Sequence, residues 1–215
     1  HKGIGAISAY LNPKINVEVL KVYFSFSVQV FLLSLVFGIL YSVDLVFVKH
    51  YLSPLDAGLY SGVSIIGRIV IFATSPFIVV LLPSINSRPY ERLKLLKKAL
   101  LYIIATGLLC LTVFSFASKQ IIGFVVGGQY VGGEEYLQKM TILFMLVAIL
   151  NTLMYYHIST KDHKPVYVGL FGLGLLFIQI VNKHGNVDNI LNSIILSVSA
   201  MLFCMLFLMS LSPRI

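Results

Sequence analysis

Six apolar runs of bilayer-spanning length constrain this chain more than any other feature of it. A hydrocarbon core about 30 Å thick is crossed by about 20 residues of α-helix. The runs are Val22 to Val48, Ala57 to Ile85, Ala99 to Ala117, Leu137 to Ile158, Pro165 to Val181 and Ile190 to Ser210. Each is continuous, and too long for a β-barrel strand of about 10 residues with alternating polarity. The expected fold is all-α: a polytopic membrane bundle of six transmembrane helices. Residues 1–21 read as a cytoplasmic or interfacial lead-in, 22–211 as the six-helix lobe and 212–215 as a cytoplasmic tail.

Composition agrees with this. Hydrophobic residues make up 58% of the chain and charged ones 11%, where a soluble domain carries about 25% charge. That leaves too little polar surface for a soluble enzyme or a nucleic-acid module. The net charge of +8 would suggest an anionic partner if the cations formed one patch, but they are distributed along the chain. Eleven of them, Lys2, Lys14, Lys21, Arg88, Arg92, Lys94, Lys97, Lys98, Lys161, Lys164 and Arg214, fall on one side of the expected membrane. Four, Lys49, Lys119, Lys139 and Lys183, fall on the other. The positive-inside rule makes the richer side cytoplasmic, with both termini on it. The charge is then a topology signal, and no nucleic-acid partner is expected. Cys110 and Cys204 lie in apolar runs without neighbouring ligands, so they are expected as packing residues and not as a disulfide or zinc site.

Polar residues inside a span are costly and mark function by default. In the second run Ser61, Ser64, Arg68 and Ser75 fall within about 60° of one another at about 100° per residue, which makes one polar stripe. Arg68 is expected roughly 16 Å below the outer end, too deep for easy snorkelling. Either carbonyls or a carboxylate satisfy it, or it lines a cavity and meets an anionic substrate; the expectation leans to the substrate. The first run carries Ser34 and Tyr41 on one face, with Asp44 at its edge. Asp44 is a candidate coupling site, a helix cap or the ion-pair partner of Arg68, although rise arithmetic separates the two by about 10 Å along the membrane normal. In the fourth run Asn151 and Tyr155 are one turn apart and complete the candidate cavity lining, with Thr141 and Thr152 aligned nearby. Ser193, Ser197, Ala200 and Cys204 form a small-residue face suited to close helix packing.

Other patterns carry no chemistry. The GLFGLG stretch at Gly169 to Gly174 has the wrong spacing for a dinucleotide loop, and GGQYVGG at Gly127 to Gly133 lacks the Lys and hydroxyl of a phosphate loop. Glu134 and Glu135 point apart on a helix, and Asp56 and Asp188 show no acid and base spacing. No triad or metal cluster emerges, so neither an enzyme nor a cofactor is expected.

Three segments carry a family likeness. The run DLVFVKHYLSPLDAGLYSG, Asp44 to Gly62, followed by a long helix ending LLPSI, Leu81 to Ile85, resembles the first two helices of the C-terminal half of polysaccharide flippases. These belong to the multidrug, oligosaccharidyl-lipid and polysaccharide exporter superfamily. IIGFVVGGQYVGGEEYLQKMTILF, Ile121 to Phe144, is similar to that family's Gly-Tyr segment before a helix, and TKDHKP, Thr160 to Pro165, fits a short cytoplasmic turn. The likeness spans nearly the whole chain, and AGLYSG, Ala57 to Gly62, is its most specific part. It implies a lobe of a two-lobe transporter in the cytoplasmic membrane of a prokaryote, with an N-terminal lobe encoded upstream of His1. The implied activity is the flipping of lipid-linked oligosaccharide by alternating access, with Arg68 in the place of a phosphate-binding cation. The alternatives are a drug or ion antiporter of the same superfamily, and an integral membrane glycan polymerase or glycosyltransferase.

Overall fold

The computed structural model describes residues 17–87, 89–160 and 163–211. Among these, helices α1 (Val17–Leu40), α2 (Val43–Tyr51), α3 (Pro54–Gly67) and α4 (Ile69–Ser87) precede a 3₁₀ turn, Pro89–Glu91. There follow α5 (Arg92–Val125), a second 3₁₀ turn (Gly128–Tyr130), α6 (Glu134–Ser159), α7 (Lys164–Asn182) and α8 (Val187–Leu211), with no strand among the described residues. Six stretches are long and apolar enough to cross a membrane: Tyr23–Leu40, Pro54–Val80, Arg92–Val125, Glu134–Ser159, Lys164–Asn182 and Val187–Ser210. The fold is therefore the all-α, six-span class expected from the sequence.

Its element boundaries differ from expectation where local chemistry intervenes. The first apolar run is two helices, because the chain turns at Tyr41–Ser42 and the Ser42 N–H bonds the Ile39 carbonyl at 3.0 Å before α2 restarts. α1 begins at Val17, so five residues assigned to the lead-in are helical, while residues 1–16 and 212–215 lie outside the described residues. α3 starts three residues before the expected Ala57, where Ser53 caps it: Ser53 Oγ accepts from the Asp56 N–H at 3.2 Å and donates to Asp56 Oδ2 at 2.7 Å. Pro54 at the first helical position has no N–H to orphan. α5 begins at Arg92, so Arg92, Lys94, Lys97 and Lys98 ride on helix and not on a loop, and it kinks at Ala117 (φ −124°, ψ 18°).

α6 is the centre of the bundle. Two thirds of its apolar stretch (67%) is buried, against no more than 39% in any of the other five spans. A helix enclosed by helices can hold polar side chains away from lipid, and Thr141, Asn151, Thr152 and His157 are all buried along it. The other spans turn large apolar residues outward, including Phe24, Phe72, Phe116, Phe171 and Phe203, as lipid-facing surfaces do.

Glycine sets the closest approaches. The Tyr130 ring fills the notch at Gly62, where any Cβ would overlap it, and Val63 packs on Gly133 in the same way. The AGLYSG and GGQYVGG segments are thus partners in one interface. Gly127 and Gly132, at φ +119° and +123°, provide the left-handed turns that bring Tyr130 there. In α7, Gly169 meets Val36 of α1 and Gly172 meets Met201 of α8, so GLFGLG is a packing motif. The small-residue face of α8 is only half used for packing: Ser193 and Ser197 are buried, whereas Ala200 and Cys204 are exposed. The expectation that Cys204 is a buried packing residue therefore fails.

One end of the bundle gathers residues that the charge asymmetry assigns to a single side. Tyr51 and His184 stack with ring centroids 4.1 Å apart. Lys139 Nζ meets Asp188 Oδ1 at 2.5 Å.

Candidate functional site

Arg68 sits where α3 gives way to α4, at a one-residue turn (φ −70°, ψ −10°) in an otherwise continuous span. Its own carbonyl still accepts from Ile71 N at 3.0 Å and Phe72 N at 3.2 Å, so the interruption tightens the helix without severing it. The guanidinium is held on every side. Nη2 donates to Asp44 Oδ1 at 2.8 Å and Oδ2 at 2.9 Å, Nη1 donates to the Ser64 carbonyl at 3.2 Å, and Nε and Nη2 donate to the Tyr41 carbonyl at 3.3 and 3.2 Å. Below it lies the Phe144 ring of α6, with the guanidinium carbon 5.2 Å from the centroid. Such a cation over an aromatic face contributes roughly 0.5 to 2 kcal/mol.

Asp44 is fully buried and takes a third hydrogen bond, from the Tyr60 hydroxyl at 2.7 Å. The rise arithmetic that put about 10 Å between Asp44 and Arg68 assumed straight helices. It fails because the turn at Tyr41–Ser42 re-aims α2 and presents Asp44 in its first turn. The compensation for Arg68 that was expected from an anionic substrate is supplied in this structure by Asp44. The side chain of Arg68 keeps 15% of its surface exposed, that of Asp44 1%.

The remaining candidate residues separate into three groups. Tyr41, Asn151, Tyr155 and Ser75 come together: with Ile78 and Val79 they line a cavity of about 330 Å³ between the Tyr41–Ser42 turn, α4 and α6. Ser64 belongs to the ion-pair cluster through its carbonyl, its hydroxyl being spent on the Ser61 carbonyl at 2.9 Å. Ser34 and Ser61 stand apart from both, exposed and bonded to their own helix carbonyls at Val30 (2.8 Å) and Ala57 (2.6 Å). Thr141 and Thr152 likewise bond Leu137 and Ala148 carbonyls at 2.7 and 2.9 Å, and are packing residues.

Within the cavity wall, Asn151 Nδ2 donates to the Tyr41 hydroxyl at 2.6 Å, and Asn151 Oδ1 is buried without a partner among the described residues. Amide orientation is set by such bonds, and exchanging O and N lets the Tyr41 hydroxyl donate instead. Either way one polar group of the Asn151 amide stays unpaired, at a cost of about 1 to 3 kcal/mol. Phe37 backs the wall, stacked on Tyr155 (centroids 6.2 Å apart, planes at 19°) and tilted against Tyr41 (6.1 Å, 35°).

Tyr60 and Phe144 were not singled out from the sequence. Tyr60 had a legible signal: it lies one turn before Ser64 and two before Arg68, on the flank of the same stripe. Phe144 had none, since an aromatic in an apolar run looks like any other. The carboxylates near the helix ends serve local structure, Asp56 in the α3 cap, Glu134 accepting from Gly132 N at 3.1 Å and Asp188 paired with Lys139. Among the described residues no group of His, Cys, Asp and Glu could hold a metal. Compared with family models, curated proteins and solved structures, the chain matches none.

Proposed function

We propose that this chain is one lobe of a transporter that flips lipid-linked oligosaccharide across the cytoplasmic membrane of a prokaryote by alternating access. The observation that carries the reading is a single residue, Tyr41. Its carbonyl holds Arg68 of a buried ion pair and its hydroxyl holds Asn151 of an adjacent polar cavity, both within the spanning bundle. Intramembrane polar groups are retained at a cost to stability, and a transport path is what most often requires them.

In this reading the substrate pyrophosphate meets Arg68 in exchange for Asp44. The guanidinium then stays compensated throughout the cycle, and Asp44 is the coupling group. A second lobe completes the cleft, since six helices wall only one side of it. The antiporter alternative needs a carboxylate free for cations, and the one in the site, Asp44, is engaged by Arg68 and Tyr60.

The test is flipping of a fluorescent lipid-linked oligosaccharide by the full-length protein in liposomes, read as protection from an impermeant quencher. Arg68→Lys should flip several-fold more slowly, because a point charge attracts phosphate without the planar fork. A rate equal to protein-free liposomes for the unmodified protein would reject the proposal.

A further inference from the structure

We infer that the outward face at the start of α5 binds an anionic phospholipid whose headgroup carries two phosphates. The inference goes beyond the transport reading and does not depend on it. α5 is two-sided: Leu96, Ala99, Ile103 and Gly107 are buried in the bundle, whereas Lys94, Lys97, Lys98, Leu101, Ile104 and Leu108 are exposed. Intervals of three and four residues set those exposed side chains on one face. The three lysines, with Leu93 and Leu101, line a groove of about 360 Å³. The lining holds no anion, Glu91 lies outside it, and among the described residues none of the three lysines forms an ion pair. The apolar run of α5 starts at Ala99. Counted outward from there, Lys98 to Lys94 covers about 6 Å at about 1.5 Å per residue, and the headgroup layer of one leaflet is roughly 5 to 8 Å thick. The lysines therefore stand at phosphate depth. Leu101, Ile104 and Leu108 continue the same face into the hydrocarbon, where an acyl chain lies along them. A soluble acidic partner matches the lysines and not these apolar residues. Lys94 is one turn from Lys97 and Lys98, with about 5 to 6 Å between Cβ atoms, so two linked phosphates engage both turns while a single one leaves a lysine in water.

The experiment titrates the full-length protein, stripped of lipid in detergent, with tetraoleoyl cardiolipin, dioleoyl phosphatidylglycerol and dioleoyl phosphatidylcholine, and counts bound lipid by native mass spectrometry. Cardiolipin should bind most tightly, phosphatidylglycerol several-fold more weakly and phosphatidylcholine weakest. Lys94→Gln, Lys97→Gln and Lys98→Gln should each weaken cardiolipin binding about five-fold, and the triple variant about a hundred-fold. The triple Lys→Arg variant at the same positions keeps the charge and should bind within a few-fold of the parent. Lys49→Gln, Lys119→Gln and Lys183→Gln together remove the same charge elsewhere and should leave binding unchanged. Millimolar inorganic pyrophosphate carries the phosphates without acyl chains, polyglutamate stands in for an acidic protein, and neither should displace cardiolipin. Equal affinity for cardiolipin and either other lipid would overturn the inference. So would binding that survives the triple Gln variant, falls equally in the matched control or in the triple Arg variant, or yields to pyrophosphate or polyglutamate.

Discussion

The carbonyl of Tyr41 accepts two hydrogen bonds from Arg68, at 3.3 Å from Nε and 3.2 Å from Nη2, across the turn that separates α1 from α2. A carbonyl at a helix end lacks its intrahelical donor. Arg68 supplies one, and in doing so ties the end of α1 to the junction of α3 and α4. Asp44, three residues further on, then falls within reach of the same guanidinium.

Arg68→Ala should therefore destabilise the protein strongly. Removing one partner of a buried pair leaves the other charge uncompensated, at about 3 to 5 kcal/mol, and Asp44 is fully buried. Adding Asp44→Asn should recover much of that loss, with a coupling of about 0.5 to 3 kcal/mol in thermal unfolding monitored by circular dichroism. The double variant should fold and still fail to flip substrate. A double variant that flips at the parental rate would make the pair purely structural.

The interface between Tyr130 and Gly62 makes a steric test of the fold. A methyl at position 62 overlaps the Tyr130 ring, so Gly62→Ala should cost about 1 to 3 kcal/mol by overpacking. Tyr130→Ala alone should also destabilise, through lost burial. In the double variant the methyl meets no ring, and its stability should match that of Tyr130→Ala. At Gly107 the overlapping atoms belong to the flexible side chain of Met145, and Gly107→Ala should cost less.

Topology rests on the eleven-to-four division of cations. In a cysteine-free background, single cysteines at Ser87 and Gly185 should react with an impermeant thiol reagent from opposite sides of the membrane. Reaction from one side at both positions would refute the six-span arrangement. The Lys139–Asp188 pair, about 40% exposed at each side chain, should contribute under about 1 kcal/mol and lose most of it in high salt.

The spans were legible because length and hydropathy need no tertiary information, and Arg68, Asp44, Tyr41, Asn151 and Tyr155 were legible because polarity in a span is costly. The pairing among them was not. It depends on a two-residue turn at Tyr41–Ser42, and nothing in that dipeptide breaks a helix the way proline or glycine would. Ser34 and Ser61 illustrate the opposite error: a hydroxyl in a span can bond its own helix carbonyl, so its presence on a polar stripe does not send it to a cavity.

Tyr41 separates what holds the fold from what lines the cavity, because its carbonyl serves the first and its hydroxyl the second. Tyr41→Phe leaves the carbonyl with Arg68 but strips Asn151 of its one side-chain partner. An amide buried without partners costs about 1 to 3 kcal/mol, whereas replacing both partners with apolar groups of similar shape is nearly neutral. Tyr41→Phe should lower stability by that amount, and Tyr41→Phe with Asn151→Leu should return it to within about 1 kcal/mol of the parent in thermal unfolding. Both variants lose the Tyr41 hydroxyl from the cavity wall, so both should lose flipping by at least about tenfold. The double variant is the decisive one, since its fold is intact and the hydrogen-bonded Tyr41 and Asn151 pair is gone from its cavity, leaving Ser75 and Tyr155. If it flips lipid-linked oligosaccharide at the parental rate, the hydrogen bond between Tyr41 and Asn151 is a packing device and the cavity plays no part in transport.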